Sequence, residues 1–456
     1  ELKTEFDTAR TLQRGKKDRL EALHDKIANL TFLDPACGCG NFLIITYREL
    51  RKLELQILQE LYLSEQTQLV TDVDLLLKVQ VDHFGGIEIE EFAAQIAQVA
   101  LWLVDHQMNM QASGLFGSYY ARLPLRKHGA IIHANALRVD WREVFGKVPD
   151  YILGNPPFLG YTQQNKAQKE DMTIITQAIN GGGVLDFVTA WYIKAADFIQ
   201  NTSTKVAFVS TNSITQGEQV GILWSYLLSK GIKIHFAHRT FQWSNEARGI
   251  AAVHCVIVGF GLETPKNYRL FEYEDIKKDG VEISAQNINP YLTNASNVLI
   301  EKRSKPISNV SIMTRGSQPT DGGNLLLNQD EKDALTAKEP QAVEWIKTFS
   351  MGEEFINNIP RYCLWLKDCP PDKLRKMPLT LQKVEQVKQM RLASTKSSTR
   401  DWASRPTLFT EDRQPKNSYL AIPRVSSERR NFIPIGFLNS EHIAGDKLQI
   451  IPNATL

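Results

Sequence analysis

The sequence predicts an α/β protein, an open parallel sheet with helices on both faces, in a chain of 456 residues that has room for two or more domains. Strand-like and helix-like patterns alternate as far as about residue 262, the signature of a parallel sheet. Four early apolar runs end in a glycine loop, an acid or an amide, and ligands of open α/β sheets lie at those carboxyl ends. Beyond the sheet, a connecting region with Lys302, Arg303, Lys305 and Pro306 leads into a second, basic domain at about residue 305.

Residues 1–30 read as a helical lead-in to a fold that occupies 31–304. The first strand lies in 30–42 and runs into the loop Cys37-Gly38-Cys39-Gly40, with a helix behind it from Leu43. Gly38 and Gly40 let backbone approach a ligand closely. A triphosphate cradle is excluded because no P-loop motif occurs, and the third glycine of the dinucleotide fingerprint is missing. Asp34 at the strand tip would repel a pyrophosphate and suits a cationic ligand. The second strand, in 84–90, ends in Glu88 and Glu90. A carboxylate at that tip commonly holds the two hydroxyls of a ribose, although either acid would also favour the N-terminus of the helix that follows. That helix, 92–104, carries Phe92, Ile96, Val99 and Leu103 on one face. A third run, 131–137, ends in Asn135, a candidate partner for an adenine amine.

The fourth run, Tyr151-Ile152-Leu153-Gly154, delivers the tetrapeptide Asn155-Pro156-Pro157-Phe158. The side-chain oxygen of Asn155 and the carbonyl of Pro156 can each accept one N–H of an exocyclic amine. Proline fixes φ and confines the residue before it to extended geometry, so both acceptors are set before a ligand arrives. Phe158 offers a ring face. A Pro-Pro turn at a strand end is the plainer reading of the same four residues. The following stretch, 160–183, is rich in Gln, Asn and Gly; it reads as a loop that folds over a bound base, or as a flexible surface loop. Later strands are expected at 205–210, 232–237 and 251–260.

Taken in order, Asp34-Pro35-Ala36-Cys37-Gly38-Cys39-Gly40-Asn41-Phe42, Gly86-Ile87-Glu88-Ile89-Glu90 and Asn155-Pro156-Pro157-Phe158 resemble the motifs of γ-type amino DNA methyltransferases. The strings at 206–219, 241–248, 362–366 and 425–430 are similar to MmeI-like (type IIL) restriction–modification polypeptides, so the resemblance covers essentially the whole chain. It implies a Rossmann-like class I S-adenosylmethionine-dependent methyltransferase sheet, with 251–260 as an antiparallel insertion, and a C-terminal α+β target-recognition domain at 305–456. It also implies S-adenosyl-L-methionine as cofactor and N6 of an adenine flipped out of double-stranded DNA as the target. Asp34, Ala36, Gly38 and Gly40 would then line the methionine part of the cofactor. Glu88 would hold its ribose, Ile89 its adenine ring, and Asn135 with Ala136 the adenine edge. Asn155 and Pro156 would bind the target amine, Pro157 would complete the catalytic tetrapeptide, and Phe158 would stack on the base. Phe241 or Trp243 would supply the second stacking face, and each also reads as an ordinary surface or core aromatic.

The net charge of +2 is too small to draw DNA to the whole molecule, so its distribution matters. Residues 361–430 hold 16 lysines and arginines against 7 acids, a local excess of 9. Lys373, Arg375, Lys376, Arg391, Arg400 and Arg405 in this stretch are the expected DNA contacts, though helical spacing over 381–391 also fits a solvated face. Five cysteines without a paired framework indicate a reducing, cytoplasmic setting, and no His/Cys pattern with metal-ligand spacing occurs. No signal peptide and no apolar run long enough to span a membrane is present. The one ExK string, Glu1-Leu2-Lys3, has no acid before it, and the first residue is not Met. A fragment of a longer polypeptide, with a nuclease domain elsewhere on it and the recognition domain truncated, is therefore expected. The alternatives carried forward are cytosine-N4 methylation, methylation of a glutamine amide, and a catalytically silent recognition subunit.

Overall fold

A computed structural model describes residues 1–63, 76–116, 131–243, 253–303, 305–427 and 430–454. The chain divides into two compact units, Glu1–Lys302 and Arg303–Leu456. The first unit opens with α1 (Leu2–Arg10) and α2 (Lys16–Ala28), then enters the sheet through β1 (Phe32–Asp34). It continues through α3 (Asn41–Leu58), β2 (Phe84–Glu88), α4 (Glu91–Phe116), β3 (Ile131–His133) and β4 (Tyr151–Gly154). Next come α5 (Lys166–Ile175), α6 (Thr189–Phe198), β5 (Lys205–Thr211) and α7 (Gly217–Ser229). Four strands complete the sheet, β6 (Lys233–Trp243), β7 (Val253–Gly261), β8 (Tyr268–Glu272) and β9 (Val281–Ala285).

These nine strands lie in the order β3-β2-β1-β4-β5-β7-β6-β8-β9. From β3 to β5 every neighbour is parallel, while β7 runs antiparallel to both β5 and β6. This is the Rossmann-like sheet that the resemblance implies, with β7 as its antiparallel insertion. Strand alternation sends neighbouring side chains to opposite faces. Phe32 and Phe84 pack with Leu43, Tyr47 and Leu101 of α3 and α4, whereas Leu33, Ile87 and Ile152 pack with Trp191, Tyr192 and Trp224 of α6 and α7. Each such fully buried apolar side chain contributes about 1.5–3 kcal/mol of transfer free energy. Both faces being covered, β1, β2 and β4 meet solvent only at their ends, which is where the site must form.

Two expectations change here. Helix α4 turns its bulky stripe outward: Phe92 is 75% exposed and Leu103 58%, and the buried face is Ala94, Ala97, Leu101, Val104, Met108 and Ala112. The reason is close approach. A Cβ added at Gly40 would stand 3.1 Å from the Cβ of Ala97, so only small residues fit between α4 and the glycine loop. The stretch 160–183 is not a plain loop either; it holds α5, whose N-cap Asn165 and Gln168 form a reciprocal capping box.

The second unit contains two four-stranded sheets. Its strands are β10 (Thr314–Arg315), β11 (Leu326–Leu327), β12 (Ile346–Ser350), β13 (Tyr362–Leu364), β14 (Tyr419–Pro423), β15 (Gly436–Leu438), β16 (His442–Ala444) and β17 (Leu448–Pro452). They pair in the orders β10-β17-β14-β15 and β11-β13-β12-β16. Five helices accompany them: α8 (Gln329–Lys338), α9 (Gly352–Asn357), α10 (Pro371–Arg375), α11 (Pro378–Leu392) and α12 (Ser397–Asp401). Arg391 of α11 is corrected from a DNA contact to a structural residue. Its exposure is 0%, and all five guanidinium N–H groups donate to backbone carbonyls, those of Pro319, Thr320, Trp402, Arg405 and Leu408, at 2.8–3.1 Å. A buried guanidinium must satisfy its donors inside, and none remains for a phosphate.

Candidate active site

The carboxyl ends of β1, β2, β3 and β4 share one cavity of about 680 Å³ in the first unit. Pro35 and Ala36 line it from the β1 loop, Ile87 to Glu90 from the end of β2, Asn135 and Ala136 from the loop after β3, and Asn155 and Pro157 from the loop after β4. Helices α5 and α6 close it with Asp171 and Trp191. Four of the short runs picked out by their terminal residues thus open onto one space.

The cofactor side of this wall is tied up by hydrogen bonds. Gly38 (φ 54°) and Gly40 (φ 85°) take the left-handed backbone that lets the loop turn back, and Gly40 is the N-cap of α3. The Glu88 carboxylate accepts from the backbone N–H of Gly38 at 2.8 Å and of Glu90 at 2.9 Å, so it binds the glycine loop to the end of β2. Cys37 N–H donates to Ile87 C=O at 3.1 Å, and the indole N–H of Trp191 donates to Pro35 C=O at 3.0 Å. Asp34 is 1% exposed and lies beneath the wall rather than in it, accepting from Ala36 N–H at 3.0 Å. A Cβ on Gly154 would come within 2.5 Å of its carboxylate. Burial pushes Asp34 up to about 7, against the lowering effect of the Ala36 bond and with a smaller push from Glu88. Ile89 is 58% exposed at the cavity, and its carbonyl bonds the His133 ring at 3.0 Å.

The tetrapeptide side differs. Asn155 is exposed, and among the described residues its side-chain amide has no hydrogen-bond partner. Pro156 is buried and outside the lining, Pro157 is exposed and lines the cavity, and Phe158 is half-buried against the large core. The segment is held from behind. Asp186, 5% exposed, accepts from Leu159 N–H at 3.0 Å and from the Thr211 hydroxyl at 3.3 Å, while Phe187 N–H donates to Leu159 C=O at 2.9 Å. Phe241 sits on β6 with its ring stacked on Tyr273 at 5.4 Å. The side chain of Trp243 and the string 244–248 lie outside the described residues.

With that geometry in place, the comparison with known proteins is decisive. The family described as "MmeI, DNA-methyltransferase domain" matches residues 10–272, and that described as "MmeI, target recognition domain" matches 294–456. The chain belongs to the MmeI family. The structure of the type IIL restriction-modification enzyme MmeI in complex with DNA aligns at a TM-score of 0.89 and 49% identity, over 100% of this chain and 60% of that one. DNA methyltransferase A of Bacillus subtilis (strain 168) is 41% identical over 443 residues, 96% of this chain and 49% of that protein. The chain therefore spans about half to three-fifths of the length of these two MmeI-like relatives.

In the MmeI target-recognition domain, the remaining basic candidates are exposed but engaged to different degrees. Lys373 pairs with Glu344 at 3.0 Å, Arg400 donates to the carbonyls of Ser394 and Thr395, and Arg405 lies over the Trp402 ring at 5.7 Å. Arg375 and Lys376 are exposed at the end of α10. Sequence reasoning missed Asp171, Asp186 and Trp191. Each acts through a tertiary hydrogen bond to a motif far away in the chain, and no local pattern encodes that; only the capping box of α5 was legible.

Proposed function

We infer that this chain transfers the methyl group of S-adenosyl-L-methionine to N6 of an adenine flipped out of duplex DNA. Residues 31–304 do the chemistry and 305–456 select the sequence, within a restriction–modification protein of the cytoplasm. The observation that carries this is the Asn155 amide, without a hydrogen-bond partner among the described residues, in the wall of a cavity whose other side is already satisfied. The residues present fit the cofactor. The cavity of about 680 Å³ falls within the usual range for a small-molecule site. Glu88 keeps lone pairs beyond its two backbone bonds for ribose hydroxyls, Asn135 and Ala136 offer an amide and a backbone edge for adenine, and the buried Asp34 favours a positive charge above the loop. When bound, the cofactor supplies a methyl group on a sulfonium.

The chain's own residues orient the acceptor. N6 of adenine is a weak nucleophile because its lone pair is delocalised into the ring. Asn155 Oδ1 and the Pro156 carbonyl each accept one N–H, drawing the nitrogen toward tetrahedral geometry and stabilising the positive charge that develops on it. Phe158 and Phe241 would stack on the extruded base. Alignment does more than base strength, so no nucleophilic cysteine is needed. Five cysteines without a disulfide support the reducing setting. Among the described residues no helix is long and apolar enough to cross a membrane. The test is transfer of labelled methyl from S-adenosyl-L-methionine to unmethylated duplex DNA. Label in the DNA supports the reading; cofactor binding without transfer supports a silent recognition subunit instead.

A further inference from the structure

Asn135 and Asp171 form a pair that the reaction as described does not use. Asn135 Nδ2 donates to Asp171 Oδ2 at 3.0 Å, and Asn135 Oδ1 accepts from Leu137 N–H at 2.9 Å. The other oxygen of Asp171 accepts from Arg138 Nε at 2.6 Å. Asp171 is 5% exposed, and all three side chains line the cavity. A carboxylate only accepts and a backbone N–H only donates, so the Asn135 amide can sit in one orientation only. It then has one lone pair on Oδ1 and one hydrogen on Nδ2 left for a ligand. That pair complements adenine, whose exocyclic amine donates beside a ring nitrogen that accepts. It opposes hypoxanthine, where an oxygen replaces the amine and the adjacent ring nitrogen carries a hydrogen.

We propose that Asp171 is a positioning residue that locks the amide of Asn135 in the adenine-reading orientation and so sets cofactor specificity. This rests on S-adenosyl-L-methionine being the cofactor. The carboxylate comes from α5, thirteen residues past Phe158, rather than from the sheet, so the helix that follows the target-amine loop also governs the cofactor's base. Asp171→Asn removes the lock. One atom of the new amide must be a donor, because the charge-assisted Arg138 bond keeps the oxygen; Asn135 then stands between two donors, this one and Leu137 N–H, and its adenine-reading orientation is no longer favoured over the flipped one.

The experiment is calorimetric titration of the whole chain with S-adenosyl-L-homocysteine and with S-inosyl-L-homocysteine, which differ only at the base edge. The wild type is expected to prefer the adenosine compound by a factor of 100 or more, on the order of what unpaired polar groups impose. Asp171→Asn is expected to lose roughly tenfold in affinity for the adenosine compound and most of that preference. The swap Asn135→Asp with Asp171→Asn pairs the two side chains again but puts a carboxylate, which only accepts, at the base edge, with no hydrogen for the adenine ring nitrogen, so the preference stays lost. Equal affinity of the wild type for the two compounds overturns the proposal. So does an Asp171→Asn protein of unchanged preference, or a swap that regains the full preference while melting like the wild type. A wild type that binds neither compound removes the cofactor reading itself, and this inference with it.

Discussion

Two asparagines, one after β3 and one after β4, stand at strand tips of one cavity, and they are built in opposite ways. Asn135 has its oxygen on Leu137 N–H and one amide hydrogen on Asp171, while Asn155 is exposed and has no partner among the described residues. The cofactor wall around Asn135 is complete before anything binds. Glu88 ties the glycine loop to β2, and Trp191 ties the same loop to α6. The target wall around Asn155 is fixed only in its backbone, by two prolines and by Asp186 from behind, and its acceptors wait. A small-molecule cofactor is well served by a preformed cradle. A base that must leave a duplex gains from acceptors that find partners only when it arrives, because that bond offsets part of the few kcal/mol of unstacking.

The largest effect that would break this comparison comes from Asn155→Ala. Methyl transfer should fall by about 100-fold or more, while affinity for S-adenosyl-L-homocysteine stays within roughly twofold. Substantial residual turnover would show that the free amide is not the amine acceptor. Arg391→Met comes next, since it leaves five backbone carbonyls without their donor. The second unit should lose about 3 kcal/mol or more and melt several degrees lower, whereas Lys376→Ala should leave melting unchanged. Glu88→Gln keeps the shape but loses the charge. Cofactor affinity should drop about tenfold, read by calorimetry, with the salt dependence of DNA binding untouched.

A smaller effect concerns pH. In the free protein burial raises Asp34 to about 7, so it is mostly protonated at pH 6 and mostly ionised at pH 8. A cationic ligand favours the ionised form. Affinity for S-adenosyl-L-methionine should therefore rise by up to roughly tenfold as pH increases through 7, and Asp34→Asn should flatten that rise. A fall in affinity over the same range would contradict the assigned role. Smallest of all, Lys376→Ala should reduce the salt slope of DNA binding by about one.

Legibility in the sequence followed the kind of constraint involved. Glycine, proline and acid at a strand end restrict backbone and chemistry together, so Gly38, Glu88, Asn135 and Asn155 were placed from sequence, and the structure brings all but Gly38 to the cavity lining. The sheet was legible because short apolar runs, buried on both faces, alternate with helix patterns along the chain. Helix α5 was hidden by a composition rich in Gln and Asn, even though its capping residues Asn165 and Gln168 were in view. The burial of α4 was not legible: its stripe of Phe92, Ile96, Val99 and Leu103 is outward, because the face toward the glycine loop admits only small residues such as Ala94 and Ala97. Arg391 misled because counting charge says nothing about burial.

The most direct test of the central claim is to digest the labelled DNA to nucleosides after methyl transfer, with the wild type and Asn155→Ala side by side. Label in N6-methyladenosine from the wild type, and almost none from the variant, is the predicted result. Label in N4-methylcytosine, or equal label from both proteins, would contradict the account.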